Sequence, residues 1–326
     1  MIKRGKMGAN SSIEWTDHTF NPWWGCVKVS PACDSCYAET MAKRVGFQVW
    51  GKDTARRMVK DSYWDMPLSW NRWAEKHNER LRVFCGSMCD VMEDAPDLQQ
   101  VRERKLYPLI EATPFLDWLL LTKRPQNFRR FFPDKWIKDP LPNIVGMTTV
   151  ESSQYLWRAE VLLRTPFARR GLSMEPLLGH VDIGPFIGIK TRKLSSEWHG
   201  PTLTRGIDWV IVGGESGHGA RPMHPDWVRA IRDECAKCGV PFFFKQWGKW
   251  LPADQIGADG DKPTPATTGS EWGVLDSDGR FRHATRWITG PGVYSDDGEI
   301  YVYRVGKGNA GRLLDGREHL DYPLGA

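Results

Sequence analysis

Long apolar runs are missing from this chain of 326 residues: no stretch of about 18 consecutive apolar side chains occurs, so no membrane-crossing helix is expected. The start, Met1-Ile2-Lys3-Arg4-Gly5-Lys6, leads into polar residues rather than an apolar core, and no signal peptide is read there. Both absences point to the cytoplasm, with no membrane partner. A strong charge of one sign is missing too: 45 Lys and Arg stand against 40 Asp and Glu, a net +5 that permits a nucleic-acid partner without requiring one. No long internal repeat and no low-complexity tract is present, which excludes solenoids and disordered arrays. A reducing compartment would leave all 7 cysteines as thiols, so close spacing reads as metal binding before it reads as disulfides. The remainder, 40% hydrophobic and 26% charged, can bury a sizeable core in one large domain or two unequal ones.

Three cysteines do lie close together. Cys26, Cys33 and Cys36 fall in Trp24-Gly25-Cys26-Val27-Lys28-Val29-Ser30-Pro31-Ala32-Cys33-Asp34-Ser35-Cys36-Tyr37. Structural zinc is almost always held by four protein ligands, whereas three leave a coordination position open for a reactant. The loop therefore suggests either an iron-sulfur cluster with one exposed iron or a zinc whose fourth ligand comes from elsewhere.

The surrounding periodicity alternates short apolar runs with amphipathic stretches, the pattern of a parallel α/β fold. Strands are expected at Arg82 to Met88, Trp118 to Thr122, Asn143 to Thr148, Arg170 to Met174, Trp209 to Val212 and Pro241 to Phe244, with a first around Thr19 to Trp24. Helices are expected at Cys36 to Val45, Leu98 to Ala112, Ser152 to Arg164 and Pro225 to Cys238, the last closing before Gly239. The Gly-, Pro-, Ser- and Asp-rich segments Ile187 to Arg205 and Ala253 to Tyr294 read as insertions or mobile loops, the second with hairpin chemistry at Gly273 to Phe281. Ligands of parallel sheets bind where the loops after the strands converge. Polar side chains recur there, in Cys85-Gly86-Ser87-Met88-Cys89-Asp90, Thr122-Lys123-Arg124-Pro125, Thr148-Thr149-Val150-Glu151, Ser173-Met174-Glu175-Pro176, Gly213-Gly214-Glu215-Ser216-Gly217 and Lys245-Gln246-Trp247-Gly248.

The cysteine loop through Tyr37-Ala38-Glu39, together with Leu121-Thr122-Lys123-Arg124-Pro125, Leu172-Ser173-Met174-Glu175-Pro176-Leu177, Trp209 to Gly217 and Pro241 to Gly248, resembles the phage-associated three-Cys-motif family. That family is similar to the radical S-adenosylmethionine (SAM) proteins, with some likeness to spore photoproduct lyase around the Cys-Tyr end of the loop. The resemblance runs from about Ile13 to Trp247 and returns at Gly311 to Arg317. It implies an α/β fold: a partial TIM-like (βα) barrel of the radical SAM type over residues 1–250, with a loop insertion near 187–205 and a C-terminal extension over 251–326. It also implies a 4Fe-4S cluster on Cys26, Cys33 and Cys36, with SAM on the fourth iron. Reductive cleavage of SAM to a 5′-deoxyadenosyl radical would then modify or repair a nucleic-acid base or nucleotide, an electron donor reducing the cluster. The first gap between the cysteines is six residues, longer than is usual in radical SAM enzymes, although a longer loop can still wrap a cubane. By position, the resemblance gives SAM contacts to Ser87, Asp90, Lys123, Thr148, Glu151, Ser173, Glu175, Gly213 and Gly214. It gives catalysis to Glu215 and Lys245, and substrate contacts to Arg124, Arg129, Arg130, Arg221 and Gln246.

Other features have plainer readings beside these. Lys123 to Phe132 interleaves cations with aromatics, which suits nucleic acid, or equally a helix with its apolar side buried. Cys85 and Cys89 are expected as buried small residues, the alternative being a fourth thiolate or a radical relay. Cys235 and Cys238 have no second pair and read as coincidence. Gly306 to Arg312 lacks the Walker spacing and is expected as a tail across the barrel mouth. Two rival functions stay open: a zinc or iron-sulfur nucleic-acid-binding protein without SAM chemistry, and a cluster-stabilised scaffold for a partner enzyme.

Overall fold

A computed structural model describes residues 11, 13–187, 206–256, 271–283, 295 and 297–323. Seven parallel strands form its main sheet: β1 (His18–Phe20), β4 (Leu81–Cys85), β5 (Leu116–Thr122), β6 (Ile144–Thr149), β7 (Arg169–Met174), β8 (Trp209–Gly213) and β9 (Phe242–Gln246), side by side in that order. Each neighbour in space is the next main-sheet strand in sequence, which is how an open half-barrel winds. Two short strands intervene, β2 (Trp23–Trp24) and β3 (Arg57–Met58), which pair only with each other. The run Thr19 to Trp24 is thus two strands in two sheets. Pro22, which has no N–H to give a ladder, separates them, and Asn21 turns its Oδ1 to the Met88 N–H at 2.7 Å.

Burial on both faces explains why the central strands read as short, largely apolar runs. Trp118, Leu120, Leu172, Met174, Val210, Val212 and Phe244 point outward beneath the crossover helices. Phe84, Leu119, Val145, Met147, Trp209, Ile211 and Phe243 fill the concave side, joined by Trp15 from the segment ahead of β1. Trp15 packs 4.6 Å from Phe84 and 6.2 Å from Trp209, ring centre to ring centre. The chain's last described stretch lies along the β9 edge: Phe244 N–H donates to His319 O and Asp321 N–H to Phe242 O. Tyr322 then donates to Glu14 O at 2.9 Å, at the base of the half-barrel. Ahead of this stretch, Trp247 just past the carboxyl end of β9 donates its N–H to Gly311 O at 3.1 Å and its indole Nε1 to Leu313 O at 2.8 Å.

Helices α1 (Tyr37–Arg44) and α2 (Asp65–His77) precede β4. Nothing in the sequence reading anticipated α2, although Pro67, Trp70, Asn71 and Ala74 repeat at helical spacing and are buried, and Asn78 ends it in the left-handed region. The helix expected at Leu98 to Ala112 runs from Pro96 to Glu111, as α3 (Pro96–Val101), a π-helical turn over Arg102–Leu106 and α4 (Tyr107–Glu111). Pro108 removes one helical donor, and the wider turn just before it accommodates the ring. Two short helices follow β5, α5 (Phe128–Phe131) and α6 (Asp134–Lys138); then come α7 (Trp157–Arg164) and α8 (Pro225–Cys238), the latter with its expected bounds. Beyond β9, strands β10 (Trp250–Pro252), β11 (Trp272–Leu275), β12 (Phe281–His283) and β13 (Ile300–Arg304) form a second sheet in the order β10-β13-β11-β12, with β11 and β12 making the expected hairpin. Residues 307–310 form a short helix, α9 (Lys307–Ala310). The insertion expected at Ile187 to Arg205 lies outside the described residues apart from Ile187, and so does much of Ala253 to Tyr294. No helix among the described residues is long and apolar enough to cross a membrane.

Candidate active site at the rim of the half-barrel

Between β1 and β4 the chain leaves the sheet and returns, and the cysteine loop is the first part of that excursion. Gly25 begins it with φ at +114°, and a side chain there would place Cβ 2.2 Å from Val49 O. Only glycine fits. Gly25→Ala should therefore destabilise the fold by roughly 1–3 kcal/mol and displace Cys26, a change that thermal unfolding and iron content would both register. Cys33 ends a short 3₁₀ turn, and Cys36 sits at the head of α1.

All three cysteines line one cleft at the carboxyl ends of the strands, together with Ser87, Cys89 and Asp90 after β4, Lys123 and Arg124 after β5, Thr149, Ser173, Glu175, Gly214, Glu215 and Lys245. Every cysteine of the chain is a free thiol. Burial, and then the Asp90 carboxylate, push the Cys26 thiol up to about 12, and burial raises Cys36 as well. Three thiols with no oxygen ligand among them suit a soft metal or an iron-sulfur cluster, which would displace their protons on binding. Among the described residues the sulfurs are not gathered into a ready-made set of three ligands. Loading would therefore draw the loop together.

The loop is held on several sides. Gly25 N–H donates to Met88 O at 3.0 Å, and the Tyr37 hydroxyl to Ser87 O at 2.8 Å. Arg221 donates through Nη2 to Pro31 O at 2.8 Å while gripping Glu215 through Nε and Nη2 at 2.9 and 2.7 Å. A Cβ on Gly217 would lie 2.6 Å from Ser35 O, so the loop after β8 rests directly on the cysteine loop. Asp90 is committed as well. Its Oδ1 accepts from Met92 N–H at 2.9 Å and the Thr122 hydroxyl at 2.6 Å, its Oδ2 from Lys123 N–H at 3.2 Å and Arg124 at 2.7 Å. Burial opposes its charge, but Arg124 and these donors hold its carboxyl below the usual range.

Several expected site residues do not reach the cleft. Thr148 faces outward, its hydroxyl on Thr122 O at 2.8 Å, because the strand alternation gives the inner face to Thr149. Glu151 is buried against Arg158 at 2.8 Å, each side chain 1% exposed. Gly213 packs on Glu175, and Gly214, though it lines the cleft, is small because a Cβ would meet Trp247 O at 2.0 Å. Gln246 is buried and donates to Gly214 O at 3.0 Å. Arg221 serves the cysteine loop and Glu215. Arg129 and Arg130 stand exposed on α5, outside the cleft lining, with Arg130 paired to Asp94. The aromatics interleaved with them, Phe128, Phe131 and Phe132, are buried among one another, Phe167 and Trp136, so the plainer reading of that segment holds and its rings offer no stacking surface. Glu175 and Lys245 do meet, as a half-buried ion pair inside the rim. Lys123 also lines the cleft and makes no ion pair with any described residue. Cys89 lines the cleft as well, its backbone bridging to Gly25 and its side chain packed against the core.

A parallel half-barrel with a cleft and a thiol loop at its carboxyl rim is an α/β architecture of the kind whose ligands bind at the strand ends. The chain belongs to the family described as a protein of unknown function, DUF5131, which it matches over residues 10–323. No curated protein matches its sequence. Among solved structures it is similar to a mutant of spore photoproduct lyase with bound AdoMet and dinucleoside spore photoproduct, at 12% identity and TM-score 0.38. It is also similar to a second mutant of that protein, at 15% identity and TM-score 0.42, and to the complex with dinucleoside spore photoproduct, at 11% identity and TM-score 0.42. Each of these likenesses covers 72% of this chain, which spans 65% of the other.

Proposed function

We propose that this protein is a radical SAM enzyme that carries a 4Fe-4S cluster on Cys26, Cys33 and Cys36 and acts on a nucleotide or nucleic-acid base. The observation that carries this reading is the convergence of those three thiols on one cleft with polar groups from β6, β7 and β9 and from the loops after β4, β5, β7 and β8. A closed structural metal site has no use for so many groups, whereas three ligands leave one iron for a reactant. When bound, the cluster would supply an electron to SAM, whose cleavage gives the hydrogen-abstracting radical. The chain's own part is to bind, orient and exclude water. Lys123, which has no carboxylate partner among the described residues, would take the methionyl carboxylate, and Ser87 its amino group. Ser173 and the Glu175–Lys245 pair face the inner side of the cleft, where they would position the reacting end of the substrate. Tyr37 and Trp50, beside Lys28, bring aromatic faces and a cation to the same lining, which suits a base with its phosphate. Trp15 and Phe84 close the floor against water.

Equilibrium binding of SAM tests this assignment. Cluster-loaded protein should bind it, and Lys123→Ala should weaken binding by roughly 1.5–3 kcal/mol, about ten-fold to a hundred-fold, with iron unchanged. Equal SAM affinity in loaded protein and in a variant lacking the three cysteines would remove SAM from the cleft.

Cys89 favours one second reading. As a fourth thiol in the same cleft it would complete a closed Cys₄ metal site, and the protein would then bind its partner without SAM chemistry. Stoichiometric zinc in protein purified without oxygen, lost in Cys89→Ala, would support that reading over ours.

A further inference from the structure

Arg124 was expected at the substrate opening, yet its guanidinium lies beneath the cysteine loop and is nearly buried. Nη1 donates to Asp90 Oδ2 at 2.7 Å and lies 3.7 Å from Cys26 Sγ, also in hydrogen-bonding geometry. Nη2 donates to Val27 O at 2.8 Å. One planar fork thus joins the carboxylate after β4, the sulfur of the first loop cysteine and the carbonyl of the residue that follows it. Asp90 holds the fork in place, because its own oxygens are fixed by Met92, Thr122 and Lys123.

The three cysteines differ in this respect. Among the described residues Cys33 has only the Ser30 hydroxyl in hydrogen-bonding reach, at 4.0 Å, and Cys36 lies at the head of α1, toward the Ala38 and Glu39 amides. Cys26 alone, among the described residues, has a charged donor on its sulfur.

We infer that Arg124 is a positioning residue that holds the Cys26 arm of the loop and, on the radical SAM reading above, raises the reduction potential of the cluster bound there. The second half follows from charge. A cluster gains a negative charge on reduction, and a cationic N–H donor to a ligand sulfur stabilises the reduced state more than the oxidised one. Lysine cannot reproduce the arrangement. Its ammonium is a point charge without a planar fork, so it can pair with Asp90 but cannot also serve both Val27 O and the sulfur in the same geometry.

The experiment is a redox titration of loaded wild-type and Arg124→Lys protein, followed by electron paramagnetic resonance. At the wild-type midpoint potential the variant should show about a ten-fold higher ratio of oxidised to reduced cluster, a downward shift of about 59 mV for a one-electron couple. An unchanged midpoint with full iron content would overturn the inference. If Arg124→Lys takes up no cluster, hydrogen exchange of the two apoproteins decides: faster exchange of the amides of residues 24–36 in the variant supports the holding role, and equal exchange refutes it. Failure of the wild-type protein to assemble any cluster would count against the radical SAM reading instead, and the exchange comparison would still test whether Arg124 holds the loop.

Discussion

Protein purified without oxygen is expected to carry about four irons per chain, and Cys26→Ala, Cys33→Ala and Cys36→Ala are each expected to lose most of that iron and its broad visible absorbance. The expected loss is nearly complete because on this reading each cysteine would be one of three protein ligands, and two thiolates do not hold a cubane. Cys235→Ala and Cys238→Ala should keep full iron. Cys235 is buried in the core under α8, and neither residue lines the cleft. Iron analysis of the five variants checks this, and undiminished iron in any of the first three would show that the ligand set is wrong.

The second large effect is on stability. Glu151→Ala should destabilise the protein by about 3–5 kcal/mol, because it leaves the Arg158 guanidinium charged and unpaired inside the core. Among the described residues, Glu151 Oε1 and Arg158 Nε are buried without a hydrogen-bond partner, so the pair has no spare donor or acceptor to replace a lost one. Replacing both residues together, Glu151→Leu with Arg158→Met, should recover much of the loss, since two apolar side chains need no compensation in a dry interior. Denaturant unfolding of the three proteins gives the comparison. SAM affinity of folded Glu151→Ala should match wild type, and a ten-fold drop with stability intact would return Glu151 to the cofactor site.

Much of the half-barrel was legible in the sequence, because a parallel sheet covered on both faces writes its strands as largely apolar runs such as Trp118-Leu119-Leu120-Leu121 within Leu116–Thr122. The α8 helix announced itself through Pro225 at its start and Gly239 at its end. The helix α2 went unread, since its buried face uses Pro67 and Asn71 where apolar residues would have marked the period. Within the cleft, spacing identified the cysteine loop and the strand-end groups but could not say which way each side chain turns. Thr148 and Thr149 are adjacent and chemically identical, and only strand register sends one outward and the other to the cleft. Charge partners were equally out of reach. Glu151 with Arg158 and Glu215 with Arg221 are pairs seven and six residues apart, but Arg124 with Asp90 and Lys245 with Glu175 depend on elements that meet only once the sheet has curled. For this reason Arg124 and Arg221, read as substrate contacts, are placed instead in ion pairs that also hold the cysteine loop.

The most direct test of the account is reductive turnover of SAM. Iron-loaded wild-type protein, reduced under anaerobic conditions and given SAM, should release 5′-deoxyadenosine, and the Cys26→Ala variant treated identically should release none. Fully loaded, reduced wild-type protein that leaves SAM intact would contradict the radical SAM reading.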